Sequence, residues 1–571
     1  MKFDFKPFKV GTVFNPIQCK VRNNYPVLEN VEILFPSRLN AMAIDPSKIA
    51  VNNNLVYTPG EVVFSVKLYN KIAVKVTSSG KCEISENSKR KSLIRHSFEI
   101  MKKAIGFKNG LYIDVSNDGE IKHAGLGSSS KLLAGVASAI NEIYGCPIDR
   151  GVLVKYLAQN HGEEIEGVED VINPVQCIGG SAASGLFEGG ILILAGESMV
   201  IGKAKIDPKY KVIIGIPKDF KPVDSRKALE IELEHIDGFI QCGKKYGPKI
   251  AYSILHKLFP AMVEGNLEGI GDVIYDYRFN MGSIKNCSCL YPRLVELTNN
   301  LSYLKKKKYV DVLTVSSIGP GVFAITKNPR VCLKAFKKEG LEVYTTEIEN
   351  DSYRVLSRIT REEIFWGNNV KFFSERSPCP LVKEILSKIK NKQKLLDLGC
   401  GGGRNTVLAA ELGFDIYCID PNEEMLNQTK LKLKKFYDGK ELEKRIQKGS
   451  VFDLPYGNES FDVVICTGVF HQTKSKRMYE KAIKETSRIL KKNGILITNI
   501  FTNRLIDKSL NKIGKNLFIT KEGLYMTLLS KEQFLSLCKK YGLKKKGKIV
   551  EYNKDIGTGL RNVLKISFEK K

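Results

Sequence analysis

Long apolar runs are missing from this 571-residue chain. A membrane-spanning helix needs about 20 consecutive apolar residues, and the best candidate, GILILAG at 190–196, is only strand-sized. The opening residues MKFDFKPFKVGTVFNP hold no apolar core of a secretory signal. Tryptophan occurs once, at Trp366, and histidine six times. The 13 cysteines are an odd, scattered set, which excludes a disulfide-stapled secreted scaffold. Cys287 and Cys289 form a CxC, but no second Cys/His pair at ligand spacing accompanies them. Reduced thiols, no membrane partner and a cytoplasmic location are expected. Low-complexity tracts and repeats of 20–50 residues are also lacking. With 43% apolar and 27% charged residues, the composition is that of a globular chain large enough for several cores.

What is in excess is positive charge: 90 Lys and Arg against 62 Asp and Glu, formally +28. The texture changes around 361–380 (REEIFWGNNVKFFSERSPCP), where the only tryptophan and two prolines fall. Up to residue 365 the chain carries 49 basic and 40 acidic residues; from 366 onward it carries 41 and 22. A fresh strand–glycine–helix pattern begins beyond that point, so two independent units are expected to join near residue 370. The segment 501–571 has 17 basic and 6 acidic residues, including KKYGLKKKGK at 539–548. It lacks the interleaved aromatics of an RNA-binding module. A solvated basic face, or attraction for an acidic small molecule, is therefore expected ahead of RNA.

The second unit opens with KLLDLGCGGGR at 394–404. A short apolar run reads as a buried parallel strand, then glycines at 399, 401, 402 and 403 lead into the helix pattern NTVLAAELG. Glycine lets the backbone turn sharply and lets a ligand approach the main chain beside a positive helix N-terminus. A second strand, FDIYCI, ends in Asp420, placed to accept two ribose hydroxyls. SVFDLP at 450–455, FDVVICTGVFHQ at 461–472 and NGILITN at 493–499 complete the series. This order resembles the class I S-adenosylmethionine-dependent methyltransferases over about residues 380–505. The resemblance implies that Asp397, Gly399, Gly401 and Gly403 line the methionine part of the cofactor and that Asp420 binds the ribose. It places Phe452 and Asp453 at the adenine and Cys466 beside the methyl donor. His471 lies just past the fourth strand, where a substrate-facing base could stand.

In the first unit, HAGLGSSSKLLAGVASAINEIY at 123–144 places a glycine–serine turn between a strand and a small-residue helix. Backbone amides and the hydroxyls of Ser128, Ser129 and Ser130 form an anion cradle there. A Walker A pattern is absent. The turn resembles the phosphate loop of the GHMP kinase superfamily, without its usual leading proline. FPSRLNAMAIDP at 35–46 and VSSIGPGVFAIT at 315–326 resemble that superfamily's N-terminal strand and C-terminal glycine loop. Within it, the wording is most similar to the archaeal β-ribofuranosylaminobenzene 5'-phosphate synthases of methanopterin synthesis. Those enzymes join an aromatic acid to phosphoribosyl pyrophosphate with loss of CO2 and pyrophosphate. The loop reads Ser-Ser-Lys where the synthases tend to have Gly-Thr-Gln, a change toward the kinases.

The resemblance implies Gly125, Gly127, Ser128, Ser129, Ser130, Arg38, Ser316, Ser317 and Gly319 as phosphate or substrate contacts. Five carboxylates between 163 and 170 include Glu163, Glu164 and Asp170 as catalytic candidates, with Glu163 and Glu164 as Mg2+ ligands. ATP or phosphoribosyl pyrophosphate is the expected substrate. The implied fold is an α+β GHMP kinase-like unit (a ribosomal S5-like N-terminal half, 1–205, and a C-terminal α/β half, 206–365), followed by an α/β Rossmann-like methyltransferase domain, 366–571. A bifunctional biosynthetic transferase acting on small molecules, and a possible homodimer, is the expectation. An ATP-dependent kinase fused to a methyltransferase, or an RNA methyltransferase with a ligand-sensing first unit, are the alternatives.

Overall fold

A computed structural model describes residues 6–17, 24–49, 55–117, 127–223, 225–389 and 393–571. The chain forms two compact units, Met1–Lys20 with Asn30–Arg358, and Val21–Glu29 with Ile359–Lys571.

In the first unit the strands Leu28–Ala43 and Glu61–Thr77 run antiparallel at the centre of the larger sheet. Ile72, Val74 and Val76 are buried while Lys71 and Lys75 are exposed, the two-residue period of a half-buried strand. The register shifts between Phe35 and Ser37, at Pro36, which has no N–H to give the ladder. The helices Lys91–Ile105 and Ser128–Ile143 pack on each other, the second also against the strand Glu61–Thr77. A four-stranded antiparallel sheet follows, in the order Val312–Val315, Val322–Thr326, Lys211–Pro217, Leu341–Glu347. Leu39 and Val66 of the larger sheet share one core with Val212 and Ile214 of the smaller. Phe64 meets Phe323 edge-on with ring centres 6.1 Å apart.

The second unit is a seven-stranded sheet in the order Ile446–Lys448, Asp415–Asp420, Lys394–Leu398, Phe461–Thr467, Leu490–Thr502, Leu560–Lys570, Leu543–Asp555. The first five are parallel and the last two antiparallel. Chain order reverses between Lys394–Leu398 and Phe461–Thr467, so a crevice opens outside their carboxyl ends. The fold class is the expected one in both units: an α+β unit, then a Rossmann-like α/β sheet. Among the described residues no helix is long and apolar enough to cross a membrane.

Packing in the first unit leaves no room at Gly185, where an added Cβ would lie 2.1 Å from the Phe35 ring. Phe35 is itself fully buried. Gly185→Ala should destabilise the first unit by about 1–3 kcal/mol, read as a lower melting temperature in calorimetry. Phe35→Leu should recover part of that loss in the double variant, whereas simple additivity of the two changes would show that the clash is not the cause.

Candidate functional sites

In the second unit the glycine loop is built against its neighbours by hydrogen bonds. The N–H groups of Gly399 and Cys400 both donate to Ile419 O, at 2.8 and 3.2 Å. Gly401 N–H donates to Asp420 Oδ2 at 2.8 Å, and Asn422 N–H to Oδ1 at 2.9 Å. A carboxylate has about four acceptor positions, so Asp420 keeps two for a diol. Gly399, Gly401 and Gly403 have φ of 70°, 53° and 80°, a left-handed geometry that a side chain disfavours. A Cβ on Gly401 would meet nothing within 4 Å; the loop faces open space at that point. A Cβ on Gly402 would lie 2.0 Å from Ser374 Oγ, in the segment that follows the Trp366 helix.

Asp397 is the last residue but one of the strand Lys394–Leu398, 1% exposed. Its Oδ2 accepts from Thr406 Oγ1 at 2.7 Å, while Oδ1 has no hydrogen-bond partner. Burial pushes its carboxyl up to about 6. A buried, half-satisfied carboxylate beside open space suits a cationic ligand group. Phe452 is half-buried and Asp453 exposed, in a turn where Asp453 N–H donates to Ser450 O. Cys466 differs from the expectation: its side chain is fully buried in the core beneath the strand ends, and burial raises its thiol. Its backbone carbonyl is taken by Thr498 Oγ1 at 2.6 Å. His471 also differs. It is fully buried, its ring lies tilted against Phe501 with centres 4.0 Å apart, and its Nδ1 accepts Phe501 N–H at 3.2 Å. A ring in that position braces the fourth and fifth strands and does not face solvent.

In the first unit, Gly125 lies outside the described residues. A Cβ on Gly127 would lie 2.5 Å from Ser181 Oγ and 3.2 Å from Arg38 Nε, so Arg38 flanks the loop. Ser130 Oγ donates to Ser181 Oγ at 2.7 Å. The far loop is brought in by Asn40: its N–H donates to Ser316 Oγ at 3.2 Å, and its carbonyl accepts Ser317 N–H at 3.1 Å. Ser317 and Gly319 both take positive φ, 57° and 83°. Arg38, the glycine–serine loop and residues 316–319 are thus gathered at one end of the strand Leu28–Ala43.

The acidic candidates are placed otherwise than expected. Arg90 donates to Ser128 Oγ at 3.2 Å and Ser129 Oγ at 2.5 Å, and it ion-pairs with Glu163 and, at 3.4 Å, with Glu164. Ser129 Oγ also donates to Glu163 at 2.5 Å. Glu164 Oε1 accepts Ser92 N–H at 3.0 Å, at the start of the helix Lys91–Ile105. Asp170 is an exposed residue paired with Arg95. Glu163 and Glu164 are thus taken up by protein partners and do not stand open to a substrate hydroxyl.

Sequence reading missed four groups. Arg90 is one. Glu61, 2% exposed, is held by Asn40 Nδ2 and accepts Gly180 N–H at 2.7 Å. Arg278, 3% exposed, donates to Ala41 O at 2.7 Å and Val315 O at 3.1 Å and reaches Cys287 Sγ at 3.3 Å, tying strand to loop. Its signal was available: an arginine on the apolar helical face of Ile274, Tyr277 and Met281 must be buried with partners. Glu232 is the fourth; burial pushes its carboxyl up to about 7. By contrast, an open depression of about 440 Å³ is lined mainly by apolar groups, among them Phe187, Val200, Phe259 and Met262, with Lys203 as its one charged side chain.

Comparison with known proteins matches the GHMP kinases N terminal domain to residues 92–180 and the methyltransferase domain to residues 396–498. The chain thus joins a stretch that matches the GHMP kinases N terminal domain to one that matches a methyltransferase domain. The GHMP-matching part is 28% identical over 259 residues to the beta-ribofuranosylphenol 5'-phosphate synthase of Methanocaldococcus jannaschii, covering 41% of this chain and 70% of that protein. The methyltransferase part is 28% identical to a putative methyltransferase of Encephalitozoon cuniculi, over 24% of this chain, and 31% identical to YqeM of Bacillus subtilis, over 21%. The chain spans 60% and 47% of those two proteins' own length. Among solved structures, mevalonate pyrophosphate decarboxylase from Streptococcus pyogenes aligns at 14% identity with a TM-score of 0.42, over 57% of this chain and 98% of that one. A methyltransferase from Methanosarcina mazei aligns at 17% identity with a TM-score of 0.29, over 34% and 99%.

Burial, then the nearby Arg561 charge, pushes the His471 ring down to about 3. The unfolded chain therefore takes up this proton first, near 6.5. The stability contribution is complete above about pH 6.5 and falls as pH drops toward 3, by about 2 kcal/mol at pH 5. His471→Gln should flatten the pH 7-to-5 change in melting of the second unit, followed by Trp366 fluorescence. An unchanged slope would show that another group sets it.

Proposed function

We propose that the chain is a bifunctional transferase of small-molecule biosynthesis in the cytoplasm. Its second unit transfers a methyl group from S-adenosylmethionine, and its first condenses or transfers on a phosphorylated small molecule. One observation carries the methyltransferase reading: Gly401 N–H and Asp420 meet at the carboxyl ends of the neighbouring strands Lys394–Leu398 and Asp415–Asp420, next to the point where the sheet's chain order reverses. That juxtaposition puts a side-chain-free loop and a two-handed acceptor within reach of one nucleoside. The half-satisfied Asp397 suits the cofactor's ammonium end. Methyl transfer from a sulfonium is an in-line displacement, so positioning and exclusion of water carry most of the catalysis. A buried, neutral His471 is compatible with that economy, since no base is required. The acceptor is read as a small molecule, with RNA less favoured. The described cysteines are all free thiols, as a reducing compartment maintains them.

For the first unit we favour chemistry of the kind named for the Methanocaldococcus relative. The pyrophosphate of an activated ribose 5-phosphate would leave with the C1–O bonding pair. An arene carbon would supply the new C–C bond, and its carboxylate would depart as CO2, returning the electrons to the ring. Backbone amides of the glycine–serine loop, Ser130 and the Arg38 fork suit the anionic groups. The Ser-Ser-Lys wording of the loop keeps ATP-dependent phosphorylation of a hydroxyl as the second reading.

S-adenosylmethionine should change the fluorescence of Trp366, the only tryptophan. Asp420→Ala should weaken that binding about 10- to 100-fold through loss of two charge-assisted hydrogen bonds; unaltered affinity would refute the ribose assignment. Pyrophosphate release from phosphoribosyl pyrophosphate and an aromatic acid supports the synthase reading of the first unit, and ADP release from ATP supports the kinase. Methyl transfer to bulk RNA that is lost at high salt would overturn the small-molecule acceptor.

A further inference from the structure

We infer that Arg90 stands where a divalent cation would stand in the first unit's anion cradle, so that this cradle binds phosphate without Mg2+. The inference rests on reading the unit as one that takes a phosphorylated ligand.

Mg2+ demands near-octahedral oxygen ligands with free lone pairs. Three of the four carboxylate oxygens of Glu163 and Glu164 already accept hydrogen bonds from the protein, two of them from one guanidinium. Glu163 Oε1 receives both Arg90 Nη2 and Ser129 Oγ. Glu164 divides its oxygens between Arg90 Nε and the Ser92 N–H that opens the helix Lys91–Ile105. Ser128 and Ser129 present their oxygens to Arg90 Nη1 and Nη2. The guanidinium fork thus spans four oxygens from two elements, as a metal would, but with a fixed planar geometry. Arg90 and Glu163 side chains are only 8% and 13% exposed, so the pair cannot be dismissed as a surface contact.

The backbone gives an independent sign. Arg90 has φ 60° and ψ 48°, a left-handed conformation that a residue with a Cβ adopts at a cost and keeps only where its surroundings enforce it. That conformation starts the helix and aims the side chain at the serines. Among the described residues, no group of three or more His, Cys, Asp or Glu could hold a metal ion. Arg90 is accordingly a positioning residue: it orders Ser128 and Ser129 and leaves the Ser128 hydroxyl proton to donate to an anion.

The test uses the full chain, with Mn2+ and inorganic phosphate as probes. Calorimetric phosphate affinity should agree within about threefold between EDTA and excess Mg2+. Arg90→Ala should weaken phosphate binding at least tenfold in EDTA, with Arg90→Lys intermediate because it keeps the charge and loses the fork. Freed of the guanidinium, Glu163, Glu164 and Ser129 should gain one Mn2+ by electron paramagnetic resonance in Arg90→Ala. The Arg90→Ala/Glu163→Gln double variant should lose it again. Arg90→Lys, the mildest change, keeps the comparison valid if Arg90→Ala melts early. Phosphate binding by the unaltered chain only with Mg2+, or a Mn2+ site already present and abolished by Glu163→Gln, would overturn the inference. If no variant binds phosphate under any condition, the phosphate reading of the unit fails, and the Mn2+ comparison still decides whether Arg90 fills a cation's place.

Discussion

Where a strand turns into a helix, the first amides of the helix have no helical carbonyl in the preceding chain to bond to. In both units a carboxylate from another element takes an amide in the first turn of such a helix, or in the turn just before it, and fixes the corner. Asp420 holds Gly401 in the methyltransferase sheet; Glu61 holds Gly180 and Glu164 holds Ser92 in the GHMP unit. Charge-assisted hydrogen bonds of this kind are shorter and stronger than neutral ones, and burial removes competing water. The remaining site geometry hangs from these anchors. The loop that must face a ligand can then be free of side chains without being free to move. Glycine supplies the conformation; the acid from another strand supplies the rigidity.

That division of labour also explains what the sequence made legible. Asp397, the glycines at 399–403 and Asp420 lie within 24 residues of one another, on consecutive elements of one motif. Local wording therefore carries both the fold and the candidate cofactor site. The anchors of the first unit are not local. Arg90 meets Glu163 across 73 positions, Glu61 meets Gly180 across 119, and Arg278 meets Ala41 across 237. No spacing rule distinguishes Arg90 from Lys89 or Lys91 beside it. The acidic stretch 163–170 was visible as chemistry, but its partners were not, so carboxylates that complete the protein's own ion pairs looked available for a metal. His471 and Cys466 misled for a related reason: the end of a strand is where functional residues gather, and it is also where the core begins.

The charge excess follows the same physics at the surface. Lys544, Lys545, Lys546 and Lys548 are exposed along the strand Leu543–Asp555, which ends the order of the seven-stranded sheet. An edge strand offers unpaired N–H and C=O groups to any other chain, and lysines along it are a common guard against such pairing. Lys546 spends part of its charge on Glu569 of the neighbouring strand. Much of the basic tail thus answers a structural need before any partner is invoked.

On the proposed reading, the two units meet opposite electrostatic demands with similar parts. A sulfonium cofactor is cationic, and the methyltransferase crevice offers it Asp397 and Asp420, both buried and both pushed upward by desolvation. Each carboxylate stays ionised more readily once a cation or a diol arrives, because the ligand replaces the hydration that burial removed. A phosphorylated ligand is anionic, and there acids near the cradle would repel it. Arg90 cancels Glu163 at the glycine–serine loop, while Arg278, spent on backbone carbonyls, braces the loop at 315–321 without adding an acid. Neutralising the acids internally lets backbone amides provide the attraction, which is why the anion-handling unit needs so little of the chain's positive charge.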